Sequence, residues 1–292
     1  MSKKSFFQNT VALIYDFDGT LSPQAMQEYT VLPKIGIKPK EFWRLVDQES
    51  AQTVAEKMLV YMRLLLELAF EKKVHITRQD FSAMAANIEY FPGVETWFDR
   101  VDDYVRQRSK NKVRIAHYII SAGMKEILDG ISIRSHFKEI YASEYHFDFR
   151  GIATFPKLLI TDTSKTQYLF RVNKGKEKLG ESINEHMPER ERPIPFANMV
   201  YIGDGMTDVP SMALTKKNGG HAIAVYPARR KYEKDICVKL LQANRVDFIA
   251  PADYSPESKL STRVDLLLDS IIADIAYRGE VHQCKAEHDI GM

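Results

Sequence analysis

The chain has 292 residues, 45% of them hydrophobic and 27% charged, with a formal net charge of +2. Such a composition suits a globular protein with a packed core, and the near-neutral balance gives no reason to expect nucleic acid or an anionic membrane as partner. The two cysteines, Cys237 and Cys284, sit in no metal-ligand spacing, a usage compatible with a reducing cytoplasm.

The first ten residues carry charge but lack the apolar centre of a signal peptide. No later stretch reaches the roughly 20 apolar residues of a membrane helix. A soluble, cytoplasmic protein is therefore expected.

Val11 to Tyr15 is an unbroken apolar run of the kind buried on both faces of a parallel sheet. It ends abruptly in Asp16-Phe17-Asp18-Gly19-Thr20. Taken alone this is a polar strand end, with Gly19 turning the backbone. Two acids in that position are nevertheless costly unless a cation or a chemical task retains them.

Between Pro23 and about Ala86 the pattern is helical. Val54, Met58, Tyr61, Leu65 and Leu68 recur at helical spacing and predict a helix over Thr53–Phe70. A shorter helix is expected over Lys40–Val46, and another from Arg78 carrying Phe81, Met84 and Ile88. These stripes read as core. The segment 22–90 is expected to be a small helical domain inserted into a core made of 1–21 and 91–292.

Phe91-Pro92-Gly93 punctuates the return, and a helix is expected over Val94–Arg108. A second apolar strand, Lys112–Ile120, runs into Ser121-Ala122-Gly123 and a helix opening at Met124. A strand ending in this way offers a hydroxyl and backbone N–H groups to an anion, although Ser121 taken alone reads better as an N-cap. Glu139–Ala142 is a short third strand. Phe147–Phe155 and Leu158–Thr161 suggest a hairpin or flap.

Lys165 opens a helix that ends at Lys174-Gly175. Residues 176–195 hold Pro188, Pro193, Pro195 and many charges, and a partly mobile, solvated excursion is expected there. Asn198–Ile202 is a strand that ends in Gly203-Asp204-Gly205-Met206-Thr207-Asp208, so acids again follow an apolar run. His221–Tyr226 and Val246–Ile249 supply further strands. A last helix is expected over Lys259–Tyr277, with a frayed tail from Gly279. Arg229-Arg230-Lys231 reads as a solvated face.

This alternation predicts an α/β fold: a Rossmann-like, doubly wound parallel sheet, whose ligands bind beyond the carboxyl ends of the strands. Asp16, Asp18, Ser121, Asp204 and Asp208 all lie at such ends, and Lys165 opens a helix nearby. Four carboxylates together call for a cation, and oxygen-only ligands favour Mg²⁺. Lys165 and Ser121 suit the oxygens of a dianion. Lys174 is a rival for the lysine role, but it would end its helix pointing away. Phosphoryl transfer needs little beyond an in-line nucleophile, charge neutralisation and an acid, and two carboxyls one residue apart can serve as nucleophile and acid.

Asp16-Phe-Asp18-Gly-Thr, Ile120-Ser121, Lys165 and Gly203-Asp-Gly-Met-Thr-Asp208 resemble, in order and spacing, the motif series of the haloacid dehalogenase-like hydrolase superfamily. The phosphoserine phosphatase-like group is the nearest in pattern. The resemblance implies Asp16 as nucleophile forming an aspartyl-phosphate, Asp18 as acid and then base, and Ser121-Ala122-Gly123 with Lys165 as phosphate-binding residues. It also implies Mg²⁺ held at Asp16, Asp204 and the backbone carbonyl of Asp18, within an acidic set completed by Asp208, which would orient Lys165 or a metal-bound water. The helical insert would be a cap of the C1 type.

The cap glutamate that usually follows the first motif in that group has no counterpart at Ser22–Met26, and Glu28 lies further on. The expectation is thus a Mg²⁺-dependent phosphatase acting on a small phosphorylated metabolite. A phosphomutase uses the same acids and remains an alternative, as does a non-catalytic binding module. A metal-free dehalogenase is disfavoured by Asp18 and the second acidic cluster.

Overall fold

A computed structural model of the chain describes residues 6–288. The charged start of the chain, residues 1–5, and the last four residues lie outside that range. The described residues form a seven-stranded sheet: β1 (Thr10–Tyr15), β2 (Arg114–Met124), β3 (Phe137–Phe147), β4 (Ala153–Leu158), β5 (Met199–Gly203), β6 (His221–Tyr226) and β7 (Phe248–Pro251). Their order is β4-β3-β2-β1-β5-β6-β7, parallel throughout except for the antiparallel edge strand β4. The expected doubly wound α/β sheet is therefore present. β1 lies between β2 and β5, where the strand order reverses, so its carboxyl end opens into the crevice where such sheets bind ligands.

Residues 22–90 hold five α-helices: α1 (Met26–Tyr29), α2 (Val31–Ile35), α3 (Pro39–Thr53), α4 (Lys57–Glu71) and α5 (Arg78–Met84). Six more complete the set: α6 (Val94–Arg108), α7 (Lys125–Leu128), α8 (Lys165–Lys174), α9 (Val209–Lys217), α10 (Lys231–Gln242) and α11 (Lys259–Glu287). On one sheet face Trp97, Phe98, Val264 and Leu268 pack over Leu13 and Tyr15. On the other, Tyr168, Leu169, Met212 and Cys237 cover Ala12, Ile14 and Tyr201. The alternation of β1 side chains between these two layers explains why its whole run is apolar.

The insertion begins and ends at one place. Phe91 donates its N–H to the Leu21 carbonyl at 3.0 Å, and Tyr254 donates to the Pro92 carbonyl at 2.7 Å. Gly93 is required there: at φ +80° its position would set a Cβ 2.3 Å from the Ser255 nitrogen. Farther out, the insert leans on the β3–β4 hairpin. Tyr145 donates its hydroxyl to the Met62 carbonyl at 2.8 Å, Phe81 stacks on Tyr145, and Thr77 bridges Ile152.

Several local expectations change. The helix expected over Thr53–Phe70 is broken at Val54, which adopts left-handed backbone (φ 54°) and is 92% exposed. Apolar spacing runs unbroken across that point, so periodicity cannot register the break, and the short helix expected before it extends from Pro39 to Thr53. β2 does not stop at Ile120 but stays extended to Met124, with its register against β3 interrupted between Ile120 and Met124. The hairpin pairs Glu144–Phe147 with Ala153–Leu158, so the turn falls inside the run expected to be one of its strands.

Residues 176–185 are tethered to α8. Arg171 donates to the carbonyls of Lys176, Lys178, Leu179 and Glu181, and Lys174 to those of Ile183 and Glu185. The tail from Gly279 continues α11 as far as Glu287, with Gly279 beside the Phe6 ring. No helix among the described residues is long and apolar enough to cross a membrane.

Candidate active site

Three strand ends and one helix start meet above β1. Asp16 leaves β1 with its N–H donated to the Ile202 carbonyl at 2.9 Å, which fixes it against β5. Lys165, the first residue of α8, reaches in from the side. Its Nζ lies 2.9 Å from Asp16 Oδ1 and 2.8 Å from Asp208 Oδ1, and its side chain is 1% exposed. Asp208 is fully committed. Oδ1 also accepts the Tyr201 hydroxyl at 2.7 Å, and Oδ2 accepts the Asp204 N–H at 3.2 Å. Lys174 stands at the far end of α8 and serves the loop instead.

Ser121 is buried, and its hydroxyl accepts the Gly123 N–H at 3.0 Å. The N-cap alternative for Ser121 fails, because the short helix α7 begins only at Lys125 and is preceded by Met124. Ser121-Ala122-Gly123 instead forms an extended, irregular segment at the end of β2, the neighbour of β1. Met26, the first residue of α1, closes over it: its sulfur accepts the Met124 N–H at 3.1 Å. A Cβ on Gly123 would stand 2.1 Å from the Met26 methyl. Any larger residue there would push the Met26 side chain aside.

Asp18 faces differently from the other acids. Its Oδ1 accepts the Met26 N–H at 2.9 Å, which turns the carboxyl toward the insert. The side chains of Asp16, Asp204 and Asp208 form the group whose oxygens lie within 4.8 Å of one another. Asp18 is not among them. Gly19 permits this packing. At φ +79° a Cβ there would lie 2.1 Å from Asp204 Oδ2.

The electrostatics follow from burial. Desolvation, and next the Asp16 charge, push the Asp18 carboxyl up to about 8. Desolvation raises Asp16 to about 6, against the pull of Lys165. Asp204 is driven well above the ordinary carboxylate range by burial and then by Asp208 and Asp16. Burial opposes the Lys165 ammonium, yet Asp16 and Asp208 hold it firmly protonated.

One buried ammonium against Asp16, Asp204 and Asp208 leaves negative charge uncompensated. An all-oxygen set of this kind fits a hard divalent cation. Sequence reasoning did not single out Tyr201, Met26 as a hydrogen-bond donor, or the pairing of Trp43 Nε1 with Glu28 Oε1 at 2.8 Å. The last two depend on how the insert folds back, and no local pattern carries that.

The model of the haloacid dehalogenase-like hydrolase family matches residues 13–213. The chain belongs to that family. A protein of Borreliella burgdorferi described as uncharacterized is 27% identical over 277 residues, spanning 87% of this chain and 94% of its own. Among solved structures, a haloacid dehalogenase family hydrolase from Salmonella enterica serovar Typhi superposes with a TM-score of 0.56 at 13% identity, covering 84% of this chain and 68% of that one. A substrate-bound phosphoserine phosphatase gives 0.55 at 14% identity, covering 88% and 98%. At those identities the likeness is one of fold.

Proposed function

We propose that the protein is a Mg²⁺-dependent phosphatase that hydrolyses a small phosphomonoester through an aspartyl-phosphate on Asp16. The observation that carries this reading is the division of labour between the two acids of β1. Asp16 is ion-paired to Lys165, whereas Asp18, two residues on, is turned away and pushed up to about 8. That division supports an attacking role for one carboxyl and a proton-holding role at neutral pH for the other.

In the first step an Asp16 oxygen attacks phosphorus. The ester P–O bond breaks, its electron pair passes to the leaving oxygen, and Asp18 gives that oxygen its proton. In the second, water attacks the phosphoryl group and gives a proton to Asp18. The P–O bond to Asp16 breaks, releasing inorganic phosphate and restoring both carboxyls. Lys165 and the Ser121-Ala122-Gly123 segment would bind the phosphoryl oxygens, and Asp208 and Tyr201 keep Lys165 in place. Asp16 and Asp204 would hold Mg²⁺ together with the Asp18 carbonyl. Asp208 is better suited to orient Lys165 than to ligate, since both its oxygens are already engaged. When bound, the ion would neutralise charge developing on the transferred group.

Residues 22–90 act as the cap in this reading, with 1–21 and 91–292 as the catalytic core. The cap excludes water and contacts the leaving group. The test is Asp16→Asn assayed on 4-nitrophenyl phosphate with Mg²⁺. Loss of turnover by at least about a thousandfold in a folded variant is expected. Undiminished activity would overturn the assignment.

A further inference from the structure

The segment assigned to the phosphoryl oxygens is closed over by the chain itself. Ser121 is 1% exposed and Met26 is 0% exposed. Past Ser121, the Gly123 N–H is donated to Ser121 Oγ and the Met124 N–H to Met26 Sδ. The point that a Gly123 Cβ would occupy lies 2.1 Å from the Met26 methyl, 2.7 Å from its sulfur and 3.2 Å from Ser121 Oγ. Thioether and hydroxyl therefore crowd one spot. An anion held by this segment must first move something.

What moves is decided by how each group is fastened. The strand end is fixed, since the Ala122 carbonyl accepts the Ser143 hydroxyl at 3.0 Å. The Met26 backbone is fixed as well: its N–H is donated to Asp18 Oδ1, and its carbonyl accepts the Thr30 hydroxyl at 2.6 Å. The Met26 side chain is the loose part. It has three rotatable bonds, and its sulfur is a weak acceptor. A phosphoryl oxygen takes an N–H in a charge-assisted bond, roughly twice as strong as a neutral one. The exchange favours the anion, and rotation of the side chain alone achieves it. The way out is short, because Ala25 is half-buried and Gln24 exposed.

In the phosphatase reading, on which this role rests, the incoming anion is the substrate's phosphoryl group. We propose that Met26 gates the phosphate seat. Its thioether stands in the seat until a phosphoryl oxygen displaces it, while its backbone N–H keeps hold of Asp18 throughout. Met26 is thus a positioning residue, with one arm on the seat and the other on the acid.

The test uses the full chain with Mg²⁺, labelled with [methyl-¹³C]methionine and titrated with inorganic phosphate. The Met26 methyl, identified by its loss in Met26→Leu, should lose its nuclear Overhauser contact with Gly123 as phosphate saturates. By calorimetry, Met26→Ala should bind phosphate about three- to tenfold more tightly than wild type, because apparent affinity is reduced by the fraction of seats that are closed. Met26→Leu, which keeps a side chain of similar size over Gly123, should show no such gain. A purely structural role would leave binding in Met26→Ala unchanged or weaker.

A methyl contact retained at saturating phosphate, or no gain in Met26→Ala, overturns the gate and leaves the phosphatase reading standing. Failure of the wild-type chain to bind phosphate overturns the gate too. Should Met26→Ala not fold, the methyl titration of the wild-type chain decides alone. If the wild-type chain does not hydrolyse 4-nitrophenyl phosphate, the phosphatase reading fails, and the same titration still decides whether Met26 yields to the anion.

Discussion

Met26 donates its backbone N–H to Asp18 Oδ1 across 2.9 Å, so the first residue of the insert's first helix orients a carboxyl that belongs to the core. With its pKa pushed up to about 8 by burial and then by Asp16, that group keeps its proton below pH 8 and loses it above. The acid step should therefore weaken on the alkaline side. For an alkyl phosphate, kcat should fall above about pH 8, and Asp18→Asn should lower it by a factor on the order of 10² to 10⁴. An aryl phosphate, whose leaving group needs less help, should lose distinctly less. Equal losses on both substrates would remove Asp18 from the acid role.

Lys165 is the buried cation between Asp16 and Asp208. Lys165→Met would leave those carboxylates facing each other uncompensated, a change that costs about 3–5 kcal/mol for a broken buried pair. In metal-free protein the fall in Tm should be larger at pH 8 than at pH 5, because protonation at low pH relieves the repulsion. Thermal melts at the two pH values decide it, and an unchanged Tm at pH 8 would contradict the geometry.

Metal-free protein should itself lose stability with rising pH. The folded pKa of Asp16 is about 6 against an ordinary 3.8, and burial drives Asp204 higher still. The folded chain thus binds protons that the unfolded chain has released. Their contribution is complete below about pH 4 and is lost as pH rises through 6 and beyond. A cation bound at Asp16 and Asp204 offsets this loss, so Mg²⁺ should raise Tm more at pH 8 than at pH 6, and EDTA should reverse the gain. The opposite pH order would rule out these carboxylates as the ligands.

Gly19→Ala tests the packing of the turn. The residue sits at φ +79° and its new methyl would fall 2.1 Å from Asp204 Oδ2. Backbone strain of about 1 kcal/mol is expected, with displacement of Asp204 in addition. The apparent Mg²⁺ affinity, followed by thermal shift, should drop along with activity. Wild-type affinity would mean that Asp204 does not hold the ion.

What the sequence made legible is what local physics encodes. Val94–Arg108 and Lys165–Lys174 fall at the expected residues because apolar period, a Gly at the start of one and a Gly after the end of the other all agree. Asp16, Lys165, Asp204 and Asp208 come together because strand ends in a doubly wound sheet share one edge. Elsewhere the pattern was blind. Val54 keeps the apolar spacing although the helix stops there, and Gly279 reads as a break although α11 continues through it. The Glu28–Trp43 pair lies fifteen positions apart on separate helices, and only the folded insert brings the two together.

The junction at Leu21 and Phe91 has a consequence for how such a protein can change. Because the chain leaves the core and re-enters it at points joined by one backbone hydrogen bond, the length of what lies between places no geometric demand on the sheet, and its content touches the strand ends through Met26 and Tyr61. In the proposed reading, the reacting carboxyls and the insert that would choose a substrate meet at few points, Met26 above all. On that reading, an insert grafted with the Met26 contact kept should leave the chemistry in place and change the alcohol it accepts.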